Sequence, residues 1–260
     1  MNLLIVGDIV GSPGRRAFAW TVQRMKQAGT VDRVVVNGEN AAGGRGITPA
    51  LVHELCDAGA DIVTLGDHAW DQKDMVAGID SETRVVRPAN FAPACPGRGW
   101  TTIDTAAGKL AVVSLIGRVF MPPMDCPFRT IETVLKQVAG ARFVIVDFHA
   151  EATSEKVAMG RYLDGRVTAV VGSHTHVQTA DETILPRGTA YITDLGMTGP
   201  DDSIIGRDTQ TILQRFTSGM PAKFEVAHGA ASLQGVIIKL DDATAKPLSI
   251  KRLRKSMPQT

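Results

Sequence analysis

Short apolar runs, each ending in glycine and polar residues, recur along the first third of the chain. Residues 3–6, 31–36 and 61–65 are rich in branched aliphatic side chains and have the length of strands buried on both faces. The stretches 17–28 and 48–58 between them carry the apolar spacing of amphipathic helices. Strand and helix patterns that alternate in this way predict an α/β fold with a largely parallel sheet.

The rest of the chain continues with shorter strands. Strands are predicted at residues 85–86, 101–104, 110–115, 143–146 and 167–171, helices at 130–139 and 209–216, and a terminal hairpin at 233–240 and 247–253. Two stacked sheets with helices outside would accommodate this many strands. Because no linker or repeat interrupts the pattern, we expect residues 1–260 to form a single domain.

Side chains that bind metals follow the predicted strands. They are Asp8, Glu39, Asn40, Asp67, His68, His149, His174 and His176. Parallel sheets gather ligands at the carboxyl ends of their strands, so these side chains are expected to meet. His174 and His176 are two residues apart, and an extended backbone would direct both imidazoles to the same side. Taken alone, this pair could equally be part of a polar turn.

Composition and charge narrow the class of function. A chain of 260 residues, 44% of them hydrophobic, can bury a large core. A formal net charge of +1 argues against a duplex nucleic-acid binder or a membrane-surface protein, although a nucleotide or a short RNA stays compatible with it. No apolar window reaches the roughly 18 residues of a membrane span. The three cysteines lack C-x-x-C spacing, and no signal sequence is seen, so a cytoplasmic protein is expected.

Seven of these side chains are candidate metal ligands: the oxygen donors Asp8, Glu39, Asn40 and Asp67, and the nitrogen donors His149, His174 and His176. The set is too large for one tetrahedral zinc, and its mixture of donors suits Mn, Fe or Zn better than Ca or Mg. Two ions that share a bridging carboxylate would use all of it. Such a pair, about 3.5–4 Å apart, clamps a phosphate ester and activates a bridging hydroxide as nucleophile. His68, outside the ligand set, would donate a proton to the leaving group.

These motifs resemble those of the calcineurin-like metallophosphoesterases. The superfamily pattern is matched by Gly7-Asp8, Gly38-Glu39-Asn40, Gly66-Asp67-His68, His149 and Gly172-Ser-His174-Thr-His176. Within that superfamily the chain resembles the YmdB-like group over its whole length, through residues 7–11, 38–44, 87–90, 117–121, 194–206 and 215–221. Each motif is weak alone, but the combination is highly specific.

The resemblance implies a four-layer α/β/β/α sandwich with a two-metal centre. It assigns Asp8, Glu39, Asn40 and His176 to one ion, and Glu39 as the bridge, Asp67, His149 and His174 to the other. It makes His68 the catalytic histidine. Ile9-Val10 replaces the second half of the usual Asp-x-His motif, and Asn40 fills that place in the YmdB-like group. The group is associated with phosphodiesterase activity on cyclic nucleotides, notably 2′,3′-cyclic ones, and with Mn or Fe.

Position 67 departs from the superfamily, which usually has Asn there. Two divalent ions with Asp8, Glu39, Asp67 and one hydroxide sum to zero charge, whereas Asn at position 67 would leave +1. A less positive centre is a weaker Lewis acid unless one ion is trivalent iron. We therefore hypothesise that Asp67 favours an Fe-containing centre, the alternative being that Asp67 binds much as Asn would.

Three functions compete at this point. The leading one is hydrolysis of a small phosphodiester, with a 2′,3′-cyclic nucleotide as the best substrate. A phosphomonoesterase of 5′-nucleotidase type would use the same centre, and a regulatory protein could keep the metals and only bind a nucleotide or partner. His68 and the full ligand set favour an enzyme. The sequence leaves open whether the chain forms a homo-oligomer.

Other polar or aromatic side chains are set aside at this stage. Ser173 has no nucleophile elbow around it, Glu151 is a candidate partner for His149 or simply solvated, and the remainder are expected at the surface or in packing. The remainder are Arg15, His53, Trp70, Arg118 and Arg161, while His228 stays open.

Overall fold

The computed structural model describes residues 1–258, which form two mixed β-sheets flanked by helices. The first sheet contains β1 (Asn2–Val6), β2 (Asp8–Ile9), β3 (Arg33–Asn37), β4 (Ile62–Thr64), β5 (Val85–Val86), β12 (Met197–Pro200), β13 (Ala231–Leu240) and β14 (Pro247–Ser256). The second contains β6 (Trp100–Thr105), β7 (Gly108–Ile116), β8 (Phe143–His149), β9 (Ala169–Ser173), β10 (Thr183–Ile184) and β11 (Ala190–Ile192).

Strand order places the three predicted strands of the first third of the chain side by side in the first sheet. The order there is β2-β12-β13-β1-β3-β4-β5, with β14 paired to β13. The strands β1, β3, β4 and β5 run parallel, as predicted, while β13 lies antiparallel to β1 and forms the predicted terminal hairpin with β14. The second sheet has the order β10-β11-β9-β8-β7-β6, and β7, β8, β9 and β11 are parallel.

Six α-helices accompany the two sheets within residues 1–258. They are α1 (Gly11–Gln27), α2 (Pro49–Asp57), α3 (Lys73–Gly78), α4 (Pro127–Gln137), α5 (Thr153–Leu163) and α6 (Thr209–Ser218). One apolar cluster joins the first sheet to α1, α2 and α3, and another joins the second sheet to α4 and α5. No helix within residues 1–258 is both long and apolar enough to cross a membrane.

Alternation along β1 shows how the layers form. Leu4 and Val6 face the helices, whereas Leu3 and Ile5 face the second sheet and contact a cluster that includes Phe143. Both faces of the strand are therefore buried, which explains its continuous apolar sequence. The four-layer α/β/β/α sandwich is confirmed.

Two of the α-helices, α3 and α5, were not predicted from the sequence. The short helix α3 has only six residues. The buried side of α5 carries Glu155 and Lys156 beside Met159 and Leu163, so its sequence lacks a clear apolar stripe. The helix α1 also begins earlier than expected, at Gly11. Gly14 in its first turn packs so closely against the backbone of Thr198 that a Cβ would lie 2.2 Å from the Thr198 carbonyl oxygen.

Candidate metal centre

The carboxyl ends of the central strands of both sheets meet at one place. His149, the last residue of β8, is fully buried, and its Nε2 lies 3.0 Å from Glu39 Oε1 and 2.8 Å from Asp67 Oδ1. His174 Nδ1 lies 2.9 Å from the same nitrogen. One ligand atom from each of Glu39, Asp67, His149 and His174 falls within 4.8 Å of the others, a group that could hold a metal ion.

The remaining three predicted ligands lie next to this group. His176 Nε2 is 3.3 Å from Asn40 Nδ2 and 3.7 Å from Asp8 Oδ1. Asn40 Nδ2 is in turn 3.4 Å from Glu39 Oε1. The structure thus brings all seven predicted side chains together, with Glu39 between the two groups.

The backbone of the two histidines differs from the expectation. The strand β9 ends at Ser173, and His174 and His176 adopt left-handed backbone, with φ of +96° and +64°. The prediction of an extended pair is therefore wrong, and the imidazoles point to different neighbours. Left-handed backbone is costly in residues other than glycine and persists where surrounding contacts hold it.

Asp194 provides those contacts. Its Oδ2 accepts hydrogen bonds from the Thr175 amide at 3.2 Å and the Thr175 hydroxyl at 2.6 Å, and it forms an ion pair with Lys156 at 2.7 Å. Both charged groups are buried. A buried carboxylate with its counter-ion and hydrogen bonds satisfied fixes the turn that carries both histidines.

Asp8 tests whether the site fits a cation. Its carboxylate is fully buried, and within residues 1–258 its Oδ1 has no hydrogen-bond partner. Burial, only partly offset by His149, raises the pKa of Asp8 to about 7. An unpartnered buried carboxylate oxygen facing other metal-binding side chains is what a cation site requires, so the donor set fits metal ions.

The charges around His149 also fit a metal site. Although burial opposes ionisation of Glu39, the adjacent imidazole of His149 lowers the pKa of its carboxyl. Burial alone would lower the pKa of His149, but the neighbouring carboxylates Glu39 and Asp67 outweigh it and raise that pKa. In the metal-free protein a proton on His149 therefore balances the acidic side chains, and a metal ion would have to displace it.

A buried polar network behind His149 was missed at the sequence level. Ser173 Oγ lies 3.0 Å from His149 Nδ1 and donates to Asp147 Oδ1 at 2.7 Å. Asp147 Oδ2 accepts a hydrogen bond from the hydroxyl of Thr64 at 2.5 Å. Asp147 lies two residues before His149 on β8, so strand alternation alone would have placed both on one face.

His68, the predicted proton donor, sits at the edge of this centre. Its amide donates to Glu39 Oε2 at 3.1 Å, which ties the loop after β4 to the metal-binding group. Its Nδ1 lies 2.8 Å from Asp71 Oδ2, and its Nε2 is 3.8 Å from Asp67 Oδ2. The role of Asp71 beside His68 was not predicted, although their i,i+3 spacing was visible in the sequence.

Side chains set aside in the sequence have defined places. Glu151 Oε2 lies 3.2 Å from His174 Nε2, so its partner is His174 rather than His149. Arg15 is tied to the Ala41 carbonyl at 2.6 Å, and Trp70 packs against Phe91 with ring centroids 5.7 Å apart. None of these contacts adds a further metal ligand.

Comparison with known proteins identifies the family. The model of the family described as YmdB-like protein matches residues 4–253. The chain belongs to this family. A curated relative of this YmdB-like chain, the 2′,3′-cyclic-nucleotide 2′-phosphodiesterase of Bacillus subtilis (strain 168), is 48% identical over 97% of the chain and 96% of the relative.

Solved structures agree with the family. A hypothetical protein from Thermus thermophilus superimposes with a TM-score of 0.94 at 42% identity, covering 99% of this chain and 100% of the other. The calcineurin-like phosphoesterase YfkN from Bacillus subtilis shares only the fold, with a TM-score of 0.60 and 12% identity over 98% of this chain and 90% of the other. The YmdB-like chain therefore has the calcineurin-like phosphoesterase fold.

Proposed function

We propose that this YmdB-like protein is a metal-dependent phosphodiesterase that hydrolyses 2′,3′-cyclic nucleotides. The observation that carries the proposal is its 48% identity, over nearly the full length of both chains, to a 2′,3′-cyclic-nucleotide 2′-phosphodiesterase. The clustering of Glu39, Asp67, His149 and His174 supports the metal dependence.

In this proposal Asp8, Asn40 and His176 would hold one ion, and Asp67, His149 and His174 would hold the other. Glu39 would contribute to both ligand sets. Support comes from the unpartnered Oδ1 of Asp8 and from the short distances around His149 Nε2. Bound ions would supply Lewis-acid activation of the phosphoryl group and of the attacking water.

His68 is the side chain that we propose as proton donor to the leaving group. With Nδ1 held by Asp71, the Nε2 atom is the one left to deliver a proton to the ribose oxygen that leaves phosphorus. Asp71 would fix the orientation of the ring, as a carboxylate does beside other functional imidazoles.

The proposal extends to the metals, the domain organisation and the location. We propose Fe, Mn or both as the ions, with Zn as the alternative, because mixed carboxylate and imidazole ligands suit these metals. We also propose a single domain, since β1 near the start of the chain pairs with β13 near its end. The cytoplasmic location and a homo-oligomeric state stay predictions.

The test is hydrolysis of 2′,3′-cyclic AMP, 3′,5′-cyclic AMP and 5′-AMP by protein loaded with Mn or Fe. We expect the 2′,3′-cyclic nucleotide to be turned over best. Preferred release of phosphate from 5′-AMP would instead support a phosphomonoesterase. No turnover of any of the three with bound metal confirmed would contradict the proposal and favour a binding protein.

A further inference from the structure

A cavity of about 700 Å³ opens beside His68. Its walls combine three arginines with two phenylalanines: Arg45, Arg207, Arg215, Phe216 and Phe224. We call it the arginine cavity. Its volume lies in the range of about 300–1,000 Å³ that is typical of small-molecule sites. Because His68 lines it, a substrate that accepts a proton from His68 has part of its structure at this opening.

Two of the arginines have no acidic partner. Arg45 pairs with Asp71 at 2.5 Å, but no carboxylate in residues 1–258 lies within 4 Å of the guanidinium nitrogens of Arg207 or Arg215. Arg207 is half-buried, and within residues 1–258 its guanidinium group donates hydrogen bonds only to the carbonyls of Gly43 and Gly44. Arginine side chains left unpaired around a cavity favour an anionic ligand, phosphate above all.

A neighbouring cavity lacks this feature. It lies beside His176 and includes Arg252 and Arg254. Arg252 is paired with Glu182 at 2.7 Å and Arg254 with Asp201 at 3.0 Å. The charges of Arg252 and Arg254 are therefore balanced within the protein, unlike those of Arg207 and Arg215.

Aromatic side chains lie among the arginines. Phe216 is 78% exposed, and the Arg215 guanidinium stands over the ring of Phe224 at 4.7 Å from its centroid. Aromatic faces that alternate with arginines are the usual surface for single-stranded nucleic acid, since bases stack on the rings and phosphates pair with the guanidinium groups.

The cavity wall is fixed to the candidate metal centre through Ile205. This β-branched residue has left-handed backbone, with φ of +45°, and its carbonyl accepts a hydrogen bond from His176 Nδ1 at 3.1 Å. Such strain in a β-branched residue needs surrounding contacts to maintain it. The same residue thus contacts a candidate ligand and lines the cavity, which places the cavity next to the candidate metal centre.

We propose that the arginine cavity binds the nucleotide on the 5′ side of the reacting one, so that RNA 3′ ends with a 2′,3′-cyclic phosphate are substrates. The inference rests on the proposed function. A cyclic mononucleotide carries a single phosphate, which is the reacting group and leaves Arg207 and Arg215 without a partner. The preceding nucleotide of an RNA supplies both a phosphodiester for the arginines and a base for the phenylalanines.

The reaction itself is unchanged by the longer substrate. The oxygen of a water molecule bonds to phosphorus and keeps one hydrogen, while its other proton passes to solvent. One of the two bonds from phosphorus to ribose oxygen breaks, that ribose oxygen takes a proton from His68, and His68 regains a proton from solvent. The cyclic phosphate becomes a terminal phosphomonoester, and the internal phosphodiester is held but not cleaved.

The test compares three substrates that differ in one feature: 2′,3′-cyclic AMP, its 5′-phosphorylated form, and the dinucleotide ApA ending in a 2′,3′-cyclic phosphate. For the unaltered protein we expect kcat/KM for the dinucleotide to exceed that for cyclic AMP by about tenfold or more, mainly through KM. The advantage should shrink as salt is raised, because phosphate contacts are screened. The variant Arg215→Ala should reduce the ratio of the two kcat/KM values about tenfold.

Arg129→Ala is the matched control, because Arg129 is an exposed arginine on α4 and makes no ion pair within residues 1–258. It should leave the ratio unchanged. Equal kcat/KM for dinucleotide and mononucleotide, or a ratio that Arg215→Ala does not alter, would overturn the inference while leaving the phosphodiesterase function intact. A gain for the 5′-phosphorylated mononucleotide without a gain for the dinucleotide would overturn the assignment to RNA. Failure to hydrolyse any of the three would refute the proposed function itself.

Discussion

His68 Nδ1 lies 2.8 Å from Asp71 Oδ2, and Asp71 is also the partner of Arg45 at 2.5 Å. One carboxylate therefore links the proposed proton donor to the mouth of the arginine cavity. With Nδ1 held by Asp71, the Nε2 atom of His68 is the nitrogen that we propose as the proton donor. The role of His68 can be separated from that of the metal ligands by the choice of leaving group.

His68→Ala should lower kcat for 2′,3′-cyclic AMP by about 10²- to 10⁴-fold, the usual range for loss of a general acid. A nitrophenyl phosphodiester needs little protonation of its leaving group, so its hydrolysis should fall far less. Metal content should stay the same, because His68 is outside the proposed ligand set. Equal losses on both substrates would contradict the role of proton donor.

Asp71→Asn should lower kcat by about tenfold, since it removes the charge that orients the imidazole. The loss should again be smaller for the nitrophenyl ester. Asp74→Asn, a change of the same type in the first turn of α3, is the control and should behave as the unaltered protein. An equal effect of Asp71→Asn on both esters would assign Asp71 to folding or binding instead.

The parts of this centre that can be predicted are those determined by residues close together in the sequence. The strand ends and the seven candidate ligands are local features, because apolar runs followed by glycine and a polar side chain mark them directly. The buried side of α5 could not be recognised, since Lys156 looks like a surface residue until Asp194, 38 positions away, is placed against it. The left-handed turn at His174 depends on the same distant carboxylate, which is why the extended backbone was expected.

Ser173→Ala should weaken metal binding by about 10- to 100-fold, because the imidazole of His149 loses the hydroxyl that positions its Nδ1. Asp147 Oδ1 would lose a buried hydrogen bond as well, so the free energy of unfolding should fall by about 1–3 kcal/mol. Metal titration and denaturant unfolding measure the two effects. Ser232→Ala is the control, because Ser232 is another buried serine that donates a hydrogen bond to an aspartate. It should lower the free energy of unfolding without weakening metal binding. An equal loss of metal affinity in both variants would contradict the role of Ser173 in positioning His149.

Asp8 makes the stability of the metal-free protein depend on pH. Its folded pKa of about 7 lies above the ordinary value of 3.8, so the folded state binds more protons than the unfolded state between these values. The contribution of Asp8 to the free energy of unfolding should therefore decrease as pH rises from about 4 to 7 in the presence of a chelator. Bound metal requires the ionised carboxylate, so the increase in Tm that Mn produces should grow over the same range.

Asp8→Asn provides the matching variant for that pH series. It removes the buried charge, so the metal-free protein should lose much of its decline in stability toward pH 7 while binding metal more weakly. Thermal unfolding with chelator and with Mn at each pH measures both effects. A metal-free Tm that falls equally with pH in the variant and in the unaltered protein would show that another group is responsible.

Asp67 should bias the metals that the protein retains. Its Oδ1 lies 2.8 Å from His149 Nε2 and 3.3 Å from His174 Nδ1, so its charge acts directly on the second proposed ion position. Because a carboxylate there adds one negative charge compared with the usual Asn, an ion of higher charge, trivalent iron, is favoured over Mn²⁺. Protein produced with both metals supplied should contain iron by elemental analysis, and Asp67→Asn should shift the content toward Mn. Mn in both positions of the unaltered protein would refute the hypothesis and show that Asp67 binds much as Asn would.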